Sequence, residues 1–201
     1  MIDGEWIESL ENGGAETDTC GSRAAIIDSF VRYYSGYAKD SRPFAYRCAD
    51  REDVPLILHF IRELAAYEKL SDEVVATEEL LEQWLFDKRR AEVIFALDGE
   101  KEVGFALFFH NFSTFLGRAG IYLEDLFVLP EYRGRGYGKG LLRTLAQFAM
   151  DEGCGRLEWS CLDWNKPSID FYLSLGAQPM EDWTVYRLTG ETLAALAEED
   201  G

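Results

Sequence analysis

The sequence lacks any apolar run close to the roughly 18–20 residues that a membrane span needs, so no spanning helix is expected. It has only two histidines, His59 and His110, and they lie far apart; its four cysteines, Cys20, Cys48, Cys154 and Cys161, form no C-x-x-C pair. A metal site is therefore not expected, and a reducing, cytoplasmic setting is the default. Basic residues are scarce as well: 20 Lys and Arg stand against 37 Asp and Glu, a formal net charge of −17. That balance argues against a nucleic-acid partner, since binding phosphates needs Lys and Arg to displace counterions. It would attract cations, amines among them. The opening residues, Met1-Ile2-Asp3-Gly4-Glu5-Trp6, are acidic where an export signal carries Lys or Arg, so export is not expected either.

What is present is enough for one core: 47% of the 201 residues are apolar. Residues 1–42 read as a loose polar extension with one short helix near Ala25 to Tyr37, and residues 43–201 as a single α/β domain. Within that domain Phe44 to Cys48 is a first strand, and Asp50 or Asp53 caps a helix that runs to about Tyr67. Thr77 caps a second helix, Glu78 to Phe86. Strands Glu92 to Leu97 and Val103 to His110 flank the hairpin signal Asp98-Gly99, and Ile121 to Leu129 is a third apolar strand. Gly138 to Asp151 is a helix, Arg156 to Leu162 a strand, Asn165 to Leu175 a short helix, Val185 to Leu188 a last strand, and Glu191 to Glu199 a helical tail. A hairpin followed by strand–helix–strand predicts a mixed sheet rather than a purely parallel one.

The most informative stretch is Leu126-Phe127-Val128-Leu129-Pro130-Glu131-Tyr132-Arg133-Gly134-Arg135-Gly136-Tyr137-Gly138-Lys139-Gly140. A strand ends, a glycine-rich loop follows and an amphipathic helix begins. Alternating glycines let backbone N–H groups approach an anion, and the start of the helix adds donors and a positive dipole end. Arg133, Arg135, Lys139 and Arg143 make the segment a basic island in an acidic chain. A dinucleotide fold is not indicated, because no βαβ unit with a ribose-binding acid accompanies the glycines. A nucleotide P-loop is excluded by the missing G-K-[ST].

Glu124 and Asp125 interrupt an apolar strand. Strict alternation would send them to opposite faces, whereas a β-bulge would turn one or both into a cleft. From the strand alone, local satisfaction by backbone or an Arg and a functional acid pair both stand. Asn165, Ser168 and Tyr172, spaced three and four apart, share one helix face. For Tyr172, core packing and chemistry stand equally on residues alone. His59 reads as a packed histidine, Cys161 as a buried strand cysteine, and Trp84, Trp159, Trp164 and Trp183 as core or interface residues.

Arg133-Gly134-Arg135-Gly136-Tyr137-Gly138 resembles the [Q/R]-x-x-G-x-[G/A] loop of the GNAT N-acetyltransferases. Ile61 to Glu68, Tyr122 to Val128 and Leu162 to Tyr172 look like the diamine (spermidine/spermine) and thialysine branches of that superfamily, Asn111 to Arg118 and Leu162 to Asn165 nearer the thialysine branch. The resemblance covers roughly residues 43 to 197. It implies a GNAT fold, a central, mostly antiparallel sheet flanked by helices, and an enzyme that moves acetyl from acetyl-CoA to a small-molecule primary amine in a ternary complex. It implies cofactor contacts at Leu126, Phe127, Val128, Arg133, Gly134, Arg135, Gly136, Tyr137, Gly138, Lys139, Asn165, Ser168 and Tyr172. It further implies that Glu124 and Asp125 bind and deprotonate the amine, that Glu68 helps hold it, and that Tyr172 protonates the leaving thiolate. A homodimer is also implied. A protein lysine or N-terminal acceptor, and a non-catalytic acyl-CoA-binding module, are the rival readings.

Overall fold

Residues 45–198 are described by a computed structural model. The expected extension over residues 1–42 lies outside them. The described residues divide into two compact units, one ending at Ser160 and the other beginning at Cys161.

The first unit carries β1 (Ala45–Cys48), α1 (Val54–Glu68), α2 (Glu78–Leu81, wound on as a π-helix Glu82–Asp87), β2 (Glu92–Asp98), β3 (Lys101–Ser113), β4 (Arg118–Val128), α3 (Tyr137–Asp151) and β5 (Leu157–Trp159). The sheet order is β1-β2-β3-β4-β5, antiparallel throughout except for the parallel β4–β5 pair, as the mixed-sheet expectation required.

Two aspartates were candidates to cap α1, and they divide the work. Asp50 Oδ1 accepts from the Glu52 N–H at 2.9 Å, and Asp53 Oδ2 accepts from the Asp50 N–H at 2.8 Å, which starts a short 3-10 turn feeding the helix. The rest of Asp53 is taken by Arg47, whose guanidinium also reaches Glu102 at 2.8 Å. At its other end α1 stops where Lys69 adopts φ 63°, with Leu70 N–H donating to Ala65 O at 2.8 Å. This is a Schellman end with lysine where glycine is usual, and it leaves Glu68 as the last helical residue.

Apolar residues of α1 and α2 close one face of the sheet: Ile57, Phe60 and Leu85 pack with Val93, Phe95, Phe105 and Phe127. Each such side chain contributes about 1.5–3 kcal/mol by leaving water. Leu141, Leu145 and Phe148 of α3 cover the other face, with Phe148 edge-on to Phe108 at 5.7 Å and to His110 at 5.8 Å.

In the second unit α4 (Lys166–Ser174) is capped by Asn165, whose side chain accepts from the Ser168 N–H at 3.3 Å, and α5 (Gly190–Glu198) forms the helical tail. The expected strand Val185 to Leu188 does not form; Val185 is 80% and Tyr186 90% exposed. Strand-forming residues need an adjacent edge, and the described residues of this unit contain no strand to offer one. The expected strand Arg156 to Leu162 shrinks to Leu157–Trp159, and Cys161, half-buried, lies beyond it. His59 is exposed rather than packed, on the outer side of α1 between buried Leu58 and Phe60. Of the two expectations for the tryptophans, core or interface, the core one fails for Trp84, Trp164 and Trp183, which are exposed; Lys88 Nζ sits 3.7 Å from the centre of the Trp84 ring. No helix among the described residues is long and apolar enough to cross a membrane.

Candidate active site

The pairing of β3 with β4 skips one residue. Phe108 faces Leu123 and Leu107 faces Asp125, so Glu124 is an extra residue bulged out of the ladder. Its effect on the faces follows from the contacts of β3. Phe108 and His110 touch α3 through Phe148, so their partners Leu123 and Ile121 lie on that face. Phe105 packs with α1, so Phe127, its partner, and Asp125, two residues earlier, lie on the α1 face. Odd-numbered residues of β4 thus change sides at the bulge. Without it Asp125 would be pressed under α3.

The bulge brings Asp125 toward the end of α1. Burial pushes its carboxyl from 3.8 up to about 7, with the negative charges of Glu124 and then Glu68 adding to the effect. Glu68 itself is half-buried and its carboxyl is raised by that burial. Glu124 is exposed at the bulge. The three acids singled out in the sequence therefore form one electrostatic group. Among the described residues no cluster of His, Cys, Asp and Glu is placed to hold a metal ion.

Downstream of the bulge β4 also outruns its other neighbour. β5 pairs with it only at Ile121, Tyr122 and Leu123, so Leu126, Phe127 and Val128 continue with β3 alone in register. Their side chains are buried or half-buried, which leaves backbone as what this segment can offer a ligand. Next comes a 3-10 turn, Pro130–Tyr132, and then the glycine loop. Gly134 has φ 73°, with nothing within 4 Å of the place a Cβ would occupy, and Gly136 has φ 97° as the residue before α3. No side chain caps α3, and its first ladder bond is Gly140 N–H to Gly136 O at 2.9 Å. An open glycine turn running into an uncapped helix start fits an anionic pyrophosphate.

The side chains of the loop are deployed unevenly. Lys139 is exposed on the first turn of α3. Arg135 donates to Glu131 O at 2.9 Å and lies over the Tyr132 ring at 5.0 Å. Arg133 turns back along β4: its Nε donates to Val128 O at 2.9 Å, and its guanidinium lies 4.5 Å from the centre of the Tyr67 ring and 5.1 Å from that of Phe127. Buried Tyr137 adjoins Tyr46 of β1, whose phenol is pushed up to about 12 by burial first and Tyr137 second. A Cβ on Gly140 would overlap the Tyr46 hydroxyl, so this glycine is needed for close approach rather than for φ. Tyr46 and Tyr67 carried no signal in the sequence beyond being aromatic. In the second unit, Asn165 is buried as the cap of α4, with half-buried Ser168 and Tyr172 following on that helix.

Residues 58–177 match the Acetyltransferase (GNAT) family. The chain is 43% identical over 164 residues to the thialysine N-epsilon-acetyltransferase of Bos taurus, spanning 75% of this chain and 95% of that protein. It is 34% identical over 196 residues to an L-ornithine N5-acetyltransferase of Arabidopsis thaliana, spanning 75% of this chain and 86% of that protein. Among solved structures, an integron cassette protein from the V. cholerae mobile metagenome superposes with a TM-score of 0.67 at 28% identity, covering 78% of this chain and 98% of that one. With a mixed sheet, a bulged fourth strand and an anion loop opening a helix, the chain belongs to the GNAT family of acetyltransferases.

Proposed function

We propose that this acetyltransferase acetylates the side-chain amine of a small basic amino acid of the thialysine or ornithine type, with acetyl-CoA as donor. The observation that carries the reading is the bulge at Glu124, which assembles Asp125, Glu124 and Glu68 into an anionic group with one carboxyl at about 7. A free alkylamine, with a pKa of about 10.4, arrives as an ammonium and must lose a proton before it attacks. Glu68 and Glu124 hold the cation, and Asp125 takes the proton, its affinity matched to neutral pH. Backbone from Leu126 to Val128, the N–H groups of Gly134 to Lys139, and the positive side chains of Arg135 and Lys139 would hold acetyl-CoA, with Asn165 and Ser168 meeting it as the family resemblance implies. That group supplies an acetyl already activated as a thioester. Tyr172 keeps a proton at its phenolic oxygen for the leaving group. A homodimer and a cytoplasmic setting complete the proposal.

The test is thiol release from acetyl-CoA offered thialysine, ornithine, lysine, spermidine and a lysine-containing peptide. Release with an amino acid, lost in Asp125→Asn, supports the reading. Preference for spermidine or the peptide, or binding without release, overturns it.

A further inference from the structure

Arg133 opens the loop motif, and by its position its charge invites assignment to a phosphate. Its side chain points elsewhere. The Nε is spent on Val128 O at 2.9 Å, the guanidinium lies against both Tyr67 and Phe127, and the backbone N–H donates to Pro130 O at 3.2 Å. Tyr67 and Phe127 also meet each other, their ring centres 6.4 Å apart. Tyr67 immediately precedes Glu68 at the end of α1, and Phe127 lies two residues beyond Asp125 on the same face of β4. One side chain thus links the root of the anion loop to both elements that carry acids.

From this geometry we infer that Arg133 is a positioning residue: it clamps α1 to β4 through Tyr67 and Phe127 and so fixes the acid group relative to the cofactor loop. The clamp rests on the reading above, in which the loop binds acetyl-CoA and the acids receive the amine. Donating to a backbone carbonyl through Nε while the guanidinium meets two rings is a task lysine cannot reproduce. The charges that bear on Asp125 are those of Glu124, beside it, and Glu68, from α1. Losing Arg133 therefore acts on Asp125 by admitting water, not by removing a neighbouring charge.

The experiment compares Arg133→Lys, Arg133→Met, Tyr67→Leu and Tyr67→Phe with the parent by two readouts. The first is the titration of the Asp125 carboxyl, followed by carbon NMR in the protein without ligand. The second is the salt dependence of coenzyme A binding. The expected result is that Arg133→Lys, Arg133→Met and Tyr67→Leu each lower the Asp125 midpoint by about one pH unit. Tyr67→Phe, which keeps the ring, leaves that midpoint in place. Arg133→Met together with Tyr67→Leu does no more than either alone, and the salt slope for coenzyme A is the same in all. The inference is overturned if Arg133→Lys behaves as the parent while Arg133→Met flattens the salt slope with Asp125 unmoved, the pattern of a phosphate ligand. Should Arg133→Met fail to fold, Arg133→Lys and Tyr67→Phe still decide the matter. Failure of coenzyme A to bind the parent protein would instead defeat the underlying functional reading.

Discussion

Replacing Asp125 by Asn should make the protein more stable, because burial penalises the ionised form of this carboxyl, and less active, because the proposed mechanism gives it the proton-accepting role. The carboxyl titrates at 3.8 when unperturbed and at about 7 in the folded chain. The folded state therefore holds the proton more tightly, and the stability this group contributes is complete below 3.8 and lost as pH rises through about 7. Relative to a neutral side chain, the cost is about 2 kcal/mol at pH 5.5 and about 4 kcal/mol at pH 8.5, at about 1.4 kcal/mol for each tenfold difference in proton affinity. These are ceilings, since solvent reaching the half-buried carboxyl trims them. With a sequence pI near 4.5, work at pH 4 would meet the solubility minimum, so the comparison belongs between pH 5.5 and 8.5. Across that range the advantage of Asp125→Asn should grow by about 2 kcal/mol, a widening of the Tm gap by roughly 4–8 °C for a chain of this size. Turnover should fall about 10²–10⁴-fold, as expected when a general base is removed. Thermal melts of both proteins across the range, with steady-state rates alongside, provide the assay. A Tm gap that stays constant with pH would refute the reasoning, as would a variant that keeps the parent's loss of activity below pH 7.

Three further outcomes follow, the first from the proposed role of Tyr172 and the others from single contacts. Tyr172→Phe should lower kcat about 100-fold while changing the KM for acetyl-CoA little, measured by steady-state thiol release. Gly140→Ala should destabilise by about 1–3 kcal/mol in urea titration, because its methyl meets the Tyr46 hydroxyl, and adding Tyr46→Phe should recover part of the loss. Asp50→Ala should cost about 1 kcal/mol by the same measurement, through loss of the cap on the turn that starts α1, with KM values unchanged.

The parts of this molecule that were legible in its sequence are those where local chemistry and tertiary structure agree. The glycine loop announced itself because strand, turn and helix signals occur in the order that opens a helix toward an anion. The bulge was legible only as one of two options for a pair of acids in an apolar strand, and the register shift that leaves Glu124 unpaired selects it. Other features depend on partners that sequence does not reveal. The π-helical turn Glu82–Asp87 has the composition of an ordinary helix, and Arg51, bonded to both Glu82 and Asp87, comes from 31 residues earlier. Val185 to Leu188 has strand-forming side chains, yet strand formation depends on a neighbour. Nothing in the loop motif reveals that the Arg133 side chain reaches Val128 O, Tyr67 and Phe127.

The three-carboxylate group also has a consequence for the heat of binding. With Asp125 near its midpoint at neutral pH, the site exists as a mixture of two charge states before any amine arrives. A cation selects the more negative one, so acceptor binding near pH 7 expels a fraction of a proton into the medium. The enthalpy recorded by calorimetry will therefore include the ionisation heat of whichever buffer receives that proton. Acceptor affinity, in turn, will rise with pH until the site is fully ionised. On the role proposed for these acids, substrate capture is coupled to the proton concentration of the surroundings.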